Sequence, residues 1–477
     1  MNRLHPDTLP TLPADVQRPG FDRRVLQPGI VHLGIGAFAR AHTLPITDAA
    51  IAATGDTRWG VVGVSLRQPE THDALAPQDG LYTLALRDEA GTRLQVVGSL
   101  LALRVAPEDP DAVLQALSAP ATRIVSLTIT EKGYHAAPDG AADFLARALQ
   151  RRRAAGQGGI TMLSCDNLPS NGQVLRRVVL QRAAALEPGL DAWIDGSCSF
   201  PSCMVDRIVP RTTDADRGQV AAALGVQDAW PVVGEPFMDW AIEDRFVAGR
   251  PDWTAGGARF VPAAEPFEQL KLRMVNGSHS ALAYLGALRG LPTVDRAVAD
   301  PALRGFADAL LRDEVQPTLP PLPGLDLDAY RARLLQRFAN PALQHRLLQI
   351  AMDGSQKIPQ RWLGTVRERL AAGQGIDRLA LCVAAWLRFI DGADEQGQAL
   401  PLDDPLADAL RVARRAPDGG LGFAPVFGDL AQTPAFVDAV QRQAGQLARG
   451  GVCDALAVLQ AAEAGPDGGS TGGRSSG

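Results

Sequence analysis

The sequence predicts an α/β chain in two parts, a doubly wound parallel sheet followed by a mostly α-helical domain. Three observations support this. Short Val/Ile/Leu runs alternate with helical stretches through the first half. A glycine-rich turn directly follows the first of those runs. From about Glu265 the pattern changes to long stretches with apolar residues at helical spacing. The expected domains are residues 1–262 for the sheet and 263–464 for the helices, with a Gly/Ser-rich tail, 465–477, expected to be disordered.

The strand runs come in order. "GIVHLGIG" precedes the helical "AFARAHTLPITDAAIAAT", and "WGVVGVSL" follows it. Then come "TRIVSLTIT", the helical "AADFLARALQRRRAAG" and "GITMLSCDN". Runs this continuously apolar suit strands covered on both faces, as parallel sheets are. In the second half, "FEQLKLRMVNGSHSALAYLGALRG", "DRLALCVAAWLRFIDGA" and "TPAFVDAVQRQAGQLARGGVCDALAVLQAAEA" are the expected helices. "VQPTLPPLPGLD" is a proline-rich connection between two of them.

Composition excludes several function classes. The 477 residues suffice for two cores, and 46% hydrophobic with 21% charged is ordinary for a globular chain. A net charge of -6 leaves no basic footprint for nucleic acid. No apolar run reaches membrane-spanning length. The opening "MNRLHPDTLPTLPADVQRPGFDRR" lacks the apolar core of an export signal, so a cytoplasmic location is expected. The five cysteines form no Cys-x-x-Cys pair. Cys198 and Cys203 have no ligand cluster to join, so no metal is expected.

Gly34-Ile35-Gly36-Ala37-Phe38-Ala39 is a G-x-G-x-x-A run between a strand and a helix. Its glycines permit a tight turn and close approach of a pyrophosphate to backbone N–H groups. Gly34, Gly36, Ala37, Phe38, Ala39 and Arg40 are therefore candidate cofactor-binding residues for a Rossmann-type domain. The next strand ends in "VSLRQPE", which offers Arg67 where an acidic residue would hold the ribose of NAD. Arg67 suits a 2′-phosphate, and the residues alone leave NAD and NADP both open.

Lysine occurs at only three positions, Lys132, Lys271 and Lys357, and the rest of the 47 basic residues are arginine. A lysine amine can lose its proton when its surroundings depress its pKa, whereas a guanidinium cannot. On a helix, Glu268, Lys271, Asn276 and His279 fall within a ~140° arc. Lys271 among Leu270, Met274 and Val275 would suit a general base, and Asn276 could donate to a developing alkoxide. The alternative is a merely wet polar face, although Asn276-Gly277 is poor helix material. Glu131, Asp166 and Asn167 close strands where doubly wound sheets bind ligands. Lys357, in "MDGSQKIPQRW", could reach back as a polar clamp.

Together these segments resemble the polyol-specific long-chain dehydrogenase/reductase family, which includes mannitol dehydrogenases and fructuronate, tagaturonate and arabinitol enzymes. The matching stretches are "GIVHLGIGAFARAH", "GVSLR", "QDGLYTL", "SLTITEKGY", "SCDNLPSNG", "SFPSCMVDRIVP", "KLRMVNGSHSALAYLG" and "MDGSQKIPQR", nearly the whole chain. The resemblance implies metal-independent hydride transfer between a secondary alcohol and NAD, with NADP less favoured. D-mannitol to D-fructose is the leading reaction, a sugar-acid reductase the alternative, and an inactive nucleotide-binding sensor a third. By resemblance, Lys271 is the catalytic lysine, and Asn276 with Asn167 steadies the reacting oxygen. His279 bonds beside that oxygen, and Asp206 and Lys357 hold the other hydroxyls. Glu131 and Glu268 line a proton route and gate the site. Family members of this length are often monomers. Ala39 departs from the family's usual histidine, and Arg67-Gln68 lacks the acid of NAD-selective members.

Overall fold

The structure, a computed structural model, describes residues 2–130, 133–322 and 325–463. It divides into two compact units, one ending at Glu268 and one beginning at Gln269. The division falls inside the helix that starts at Glu265, past the compositional change read at residue 262.

The first unit is built on five short strands, β1 (Ile30–Leu33), β2 (Val61–Ser65), β5 (Leu100–Val105), β6 (Ile124–Leu127) and β7 (Thr161–Ser164). They form an all-parallel sheet in the order β5-β2-β1-β6-β7. The order reverses at β1, so β2 and β6 flank it and the crevice above their carboxyl ends is the ligand position of this fold. Every residue of β1, β2, β6 and β7 is buried, as the apolar runs required. One face packs on helices at Pro110–Ser118, Ala141–Ala154 and Asn171–Leu186, with Leu114, Leu145 and Val179 in that layer. This is the Rossmann-type architecture.

Two small sheets were not anticipated. β3 (Tyr82–Asp88) and β4 (Gly91–Val97) make an antiparallel hairpin inserted between β2 and β5, and β9 (Val232–Gly234) adds to it in parallel. β8 (Cys203–Asp206) pairs with β10 (Asp239–Glu243), which pairs with β11 (Arg259–Val261). β3 and β4, at seven residues each, pair locally, whereas β8, β9, β10 and β11 have three to five residues and depend on partners distant in sequence.

The second unit is helical. Gly277–Leu288 is buried at every residue, and Asp377–Ile390 at all but Asp377 and Arg388, so both are core helices. The start of the second is capped by a side chain from elsewhere. Buried Glu314 accepts from Arg378 N at 2.8 Å and Leu379 N at 2.9 Å, satisfying two donors that a helix leaves open. The long apolar periodicity after Pro434 is kinked at Gly451, whose φ of 71° breaks it. The expected tail, 465–477, lies outside the described residues.

Candidate active site

The glycine turn comes first, because its geometry follows most directly from its letters. Gly34 has φ 88°, and a Cβ there would stand 2.2 Å from the Thr128 carbonyl oxygen. Only glycine lets β1 turn this close to the end of β6. Thr128 Oγ1 donates to Gly34 O at 2.7 Å, tying the turn to β6. Behind it, the ring nitrogens of buried His32 lie 2.8 Å from Ser126 Oγ and 2.9 Å from Thr128 Oγ1. Burial lowers the His32 pKa to about 4, so this network is neutral.

A cavity of about 420 Å³ opens above the strand ends, lined by Gly34, Gly36, Ser65, Arg67, Thr128 and Thr130 among others. Its position at the reversal of strand order, with open backbone at the turn, fits a dinucleotide. Exposed Arg67 stands on its wall at the end of β2.

Four of the expected cofactor-binding residues are not on that wall. Ala37, Phe38, Ala39 and Arg40 begin the helix Ala37–Ala41, which turns their side chains toward the core. Ala39 is fully buried. Arg40, 1% exposed, donates to the Trp230 carbonyl and lies over the Tyr82 ring. Its side chain closes a core, and the expectation for this run rests on its backbone N–H groups rather than on its side chains.

The segment after β7 ties several parts of the first unit together. Asn167 is exposed, at the strand end. Asn171 Nδ2 donates to Asp166 O at 3.0 Å and Cys203 O at 2.7 Å, linking β7 to β8, which carries buried Asp206. Ser170, held at φ 48°, donates its N–H to Glu268 Oε2 at 2.9 Å. Glu268 is buried, and its Oε1 has no hydrogen-bond partner among the described residues. Burial pushes its carboxyl up to about 7 against the opposing Ser170 bond, with Glu243 and Glu265 adding repulsion. A carboxyl poised there can take or give a proton near neutral pH. Glu131 lies outside the described residues.

In the second unit, Lys271–Asn276 form a π turn between two α-helical stretches. Residues five apart diverge by ~140° on an α-helix, but an i→i+5 turn stacks them, so Lys271 and Asn276 lie closer to one side than the α-helical arc implied. A second π turn, Pro359–Leu363, supports the first. Arg361 donates to Ser280 Oγ at 2.7 Å and Asn276 O at 3.3 Å, and Trp362 Nε1 to Gly277 O at 3.0 Å.

Lys271 is half-buried, whereas Asn276 and His279 are buried. The His279 ring stacks on Phe338 at 4.1 Å and meets His345 edge-on at 5.4 Å. Asn276 Nδ2, His279 Nε2 and His345 Nδ1 are buried without hydrogen-bond partners among the described residues. Burial holds the His279 imidazole well below its ordinary pKa, and His345, Arg361, Arg337 and Lys271 add to the effect. It is therefore neutral at working pH. Lys357 donates to Ile350 O at 3.4 Å and helps burial lower the His345 pKa. Its segment is fixed by Gly354, where a Cβ would strike Trp386 Nε1 at 2.5 Å and Tyr284 Oη at 2.7 Å.

Sequence reasoning missed His345, Phe338, Arg337 and Arg361. His345 is one of only seven histidines, which was a usable signal. The described residues hold no cluster of three or more His, Cys, Asp or Glu side chains suited to a metal, and no helix long and apolar enough to cross a membrane.

The sheet order, the glycine turn and the cavity above them define the class: a Rossmann-fold dinucleotide-binding protein with a separate helical unit. The mannitol dehydrogenase Rossmann domain model matches residues 28–255 and the mannitol dehydrogenase C-terminal domain model residues 263–448. The D-mannonate oxidoreductase of Escherichia coli is 42% identical, over 93% of this chain and 98% of its own. A mannitol 2-dehydrogenase of Phaeosphaeria nodorum is 40% identical, over 87% and 78%. The solved mannitol 2-dehydrogenase of Pseudomonas fluorescens, a ternary complex with NAD and D-mannitol, superposes with a TM-score of 0.87 at 36% identity, covering 96% and 99%. The chain belongs to the mannitol dehydrogenase family, and it is an oxidoreductase.

Proposed function

We propose that the protein interconverts a secondary alcohol of an open-chain, six-carbon polyhydroxy compound and its ketone, using NAD. The observation that carries this reading is the set of buried, unpartnered polar atoms on Asn276 and His279, on the same helical segment as Lys271. Buried polar atoms without partners are costly, and their clustering beside a lysine supports a polar ligand at that place. In the proposed reaction Lys271 takes the hydroxyl proton, while Asn276 Nδ2 donates to the oxygen as charge builds on it. Neutral His279 bonds to the same oxygen, and Glu268 passes the proton onward. Asn167, Asp206 and Lys357 are assigned to the substrate's oxygens by family resemblance. The bound nicotinamide supplies the hydride acceptor, and Gly34, Gly36, Thr130 and Arg67 are the residues that would hold the dinucleotide.

Within this class the leading substrate is D-mannitol, giving D-fructose, as supported by the likeness to the solved mannitol complex. A sugar-acid substrate is the second reading. It is favoured by the basic groups around His279, which include Arg337 and Arg361, and by the likeness to a D-mannonate oxidoreductase along nearly its full length. A substrate panel followed by NADH absorbance, run also with NADPH, tests both. Turnover of D-mannitol well above D-mannonate supports the first, the reverse ratio the second. No turnover on any polyol, ketose or sugar acid would overturn the reading.

A further inference from the structure

We infer that Asp166 is a positioning residue for the dinucleotide, holding Ile129 and Thr130, just after β6, in the shape they take on the cavity wall. Its carboxylate, 8% exposed, accepts three hydrogen bonds, from these two residues and Tyr134. Oδ2 accepts from Ile129 N at 2.9 Å and Tyr134 Oη at 2.6 Å, and Oδ1 from Thr130 N at 2.8 Å. Ile129, Thr130 and Gly133 line the cavity together with the glycine turn.

These residues need holding. Thr130 has φ 62°, a left-handed conformation that a β-branched residue rarely adopts and keeps only when its surroundings impose it. Two consecutive N–H groups caught by the two oxygens of one carboxylate supply that constraint. The amide of an asparagine has a single acceptor oxygen and would turn its NH2 toward one of those donors. The segment is also joined to the glycine turn, since Thr128 Oγ1 donates to Gly34 O at 2.7 Å. Asp166 therefore acts on the cofactor cavity from the neighbouring strand without lining it.

Asn171, the first residue of the helix that follows β7, provides a control. It is fully buried and binds Asp166 O and Cys203 N and O, and none of these bonds reaches Ile129 or Thr130. Loss of either side chain removes buried hydrogen bonds and lowers stability, but only loss of the Asp166 carboxylate frees the cavity wall.

The inference rests on the proposed use of NAD, and the test separates the two. NADH is titrated by fluorescence into wild type, Asp166→Asn, Tyr134→Phe and Asn171→Ala, with melting midpoints recorded for each. Failure of wild type to bind NADH would sink the proposed function. Given wild-type binding, Asp166→Asn should weaken NADH tenfold or more, and kcat at saturating NADH should fall less than the affinity does. Tyr134→Phe, which keeps both backbone bonds, should weaken NADH two- to fourfold. Asn171→Ala should stay within twofold of wild type despite a lower midpoint. Unchanged affinity in Asp166→Asn overturns the inference, as does an equal loss in Asn171→Ala at a matched midpoint. If Asp166→Asn does not fold, Tyr134→Phe decides: weaker binding at a midpoint near wild type supports the inference, and unchanged binding overturns it.

Discussion

The cavity of the first unit and the histidine pair of the second treat polar side chains in opposite ways. In the first, the cavity is shaped by main chain and the polar side chains directly behind it are paired, His32 with Ser126 and Thr128 and Asp166 with two backbone amides, although Arg40 Nε and Glu268 Oε1 in the same unit have no partner among the described residues. In the second, Asn276, His279 and His345 each bury a polar atom that has no partner among the described residues. Each such atom costs about 1–3 kcal/mol. A dinucleotide is gripped by shape and backbone, so its pocket can be finished in advance. A reacting hydroxyl needs directed donors and acceptors, and these must be left open for it.

That contrast can be broken most severely at Lys271. Lys271→Ala should lower kcat about 10²- to 10⁴-fold, the usual worth of a general acid–base group, with NADH affinity within twofold. Stopped-flow turnover and fluorescence titration check the two halves separately, and loss of both would mean the halves are not separable.

Asn276→Leu sharpens the comparison next. It should lower kcat about 10²- to 10³-fold, as removal of an oxyanion donor does, while raising the melting midpoint because a buried unpaired donor disappears. A lower midpoint would mean that Nδ2 is satisfied in the folded enzyme.

Gly34→Val tests the shaped half. Its side chain would collide with the Thr128 carbonyl at an unfavourable φ, so NADH affinity should fall at least about tenfold while Lys271 chemistry on a saturated enzyme survives better. Calorimetric titration with NADH measures it.

Glu268 offers a smaller, pH-dependent effect. Its folded pKa of about 7 exceeds the ordinary 4.5, so between those values the folded protein keeps a proton that the unfolded chain has lost. This group's contribution to stability therefore declines as pH rises through that window and levels off above about 7. Glu268→Gln should flatten that limb in denaturant melts at pH 5, 6, 7 and 8, and remove an ionisation near 7 from the kcat profile. The smallest expected change is at exposed Arg67. Arg67→Asp should shift the NADH-to-NADPH preference about tenfold toward NADH, read as a ratio of kcat/KM.

What the letters disclosed follows the same division. The strands of the large sheet and the Gly34–Gly36 turn are local patterns, so each could be read from a dozen residues. Scarcity of lysine drew attention to Lys271 and Lys357 without any structure. The π turn could not be read, because Arg361 and Trp362, some 85 positions away, take up carbonyls of Asn276 and Gly277. His345 and Arg337 reach His279 only through tertiary packing, and no motif marks them. Arg40 lies within a cofactor fingerprint, and its side chain is drawn into a core by Tyr82 and Trp230, a placement no local pattern shows. The hairpin β3–β4 left a usable signal, since Tyr82, Leu84 and Leu86 recur at every second position, as do Leu94 and Val96, which alternate with Arg93 and Gln95.

The π turn at Lys271–Asn276 makes the spelling of this stretch count as much as its letters. Loss of one codon between Leu272 and Val275 would let the chain relax into an unbroken, better-bonded helix. The same deletion would leave the amine four positions before the amide, ~40° apart on an α-helix, so the pair would keep its shared face and lose only the wide turn between them.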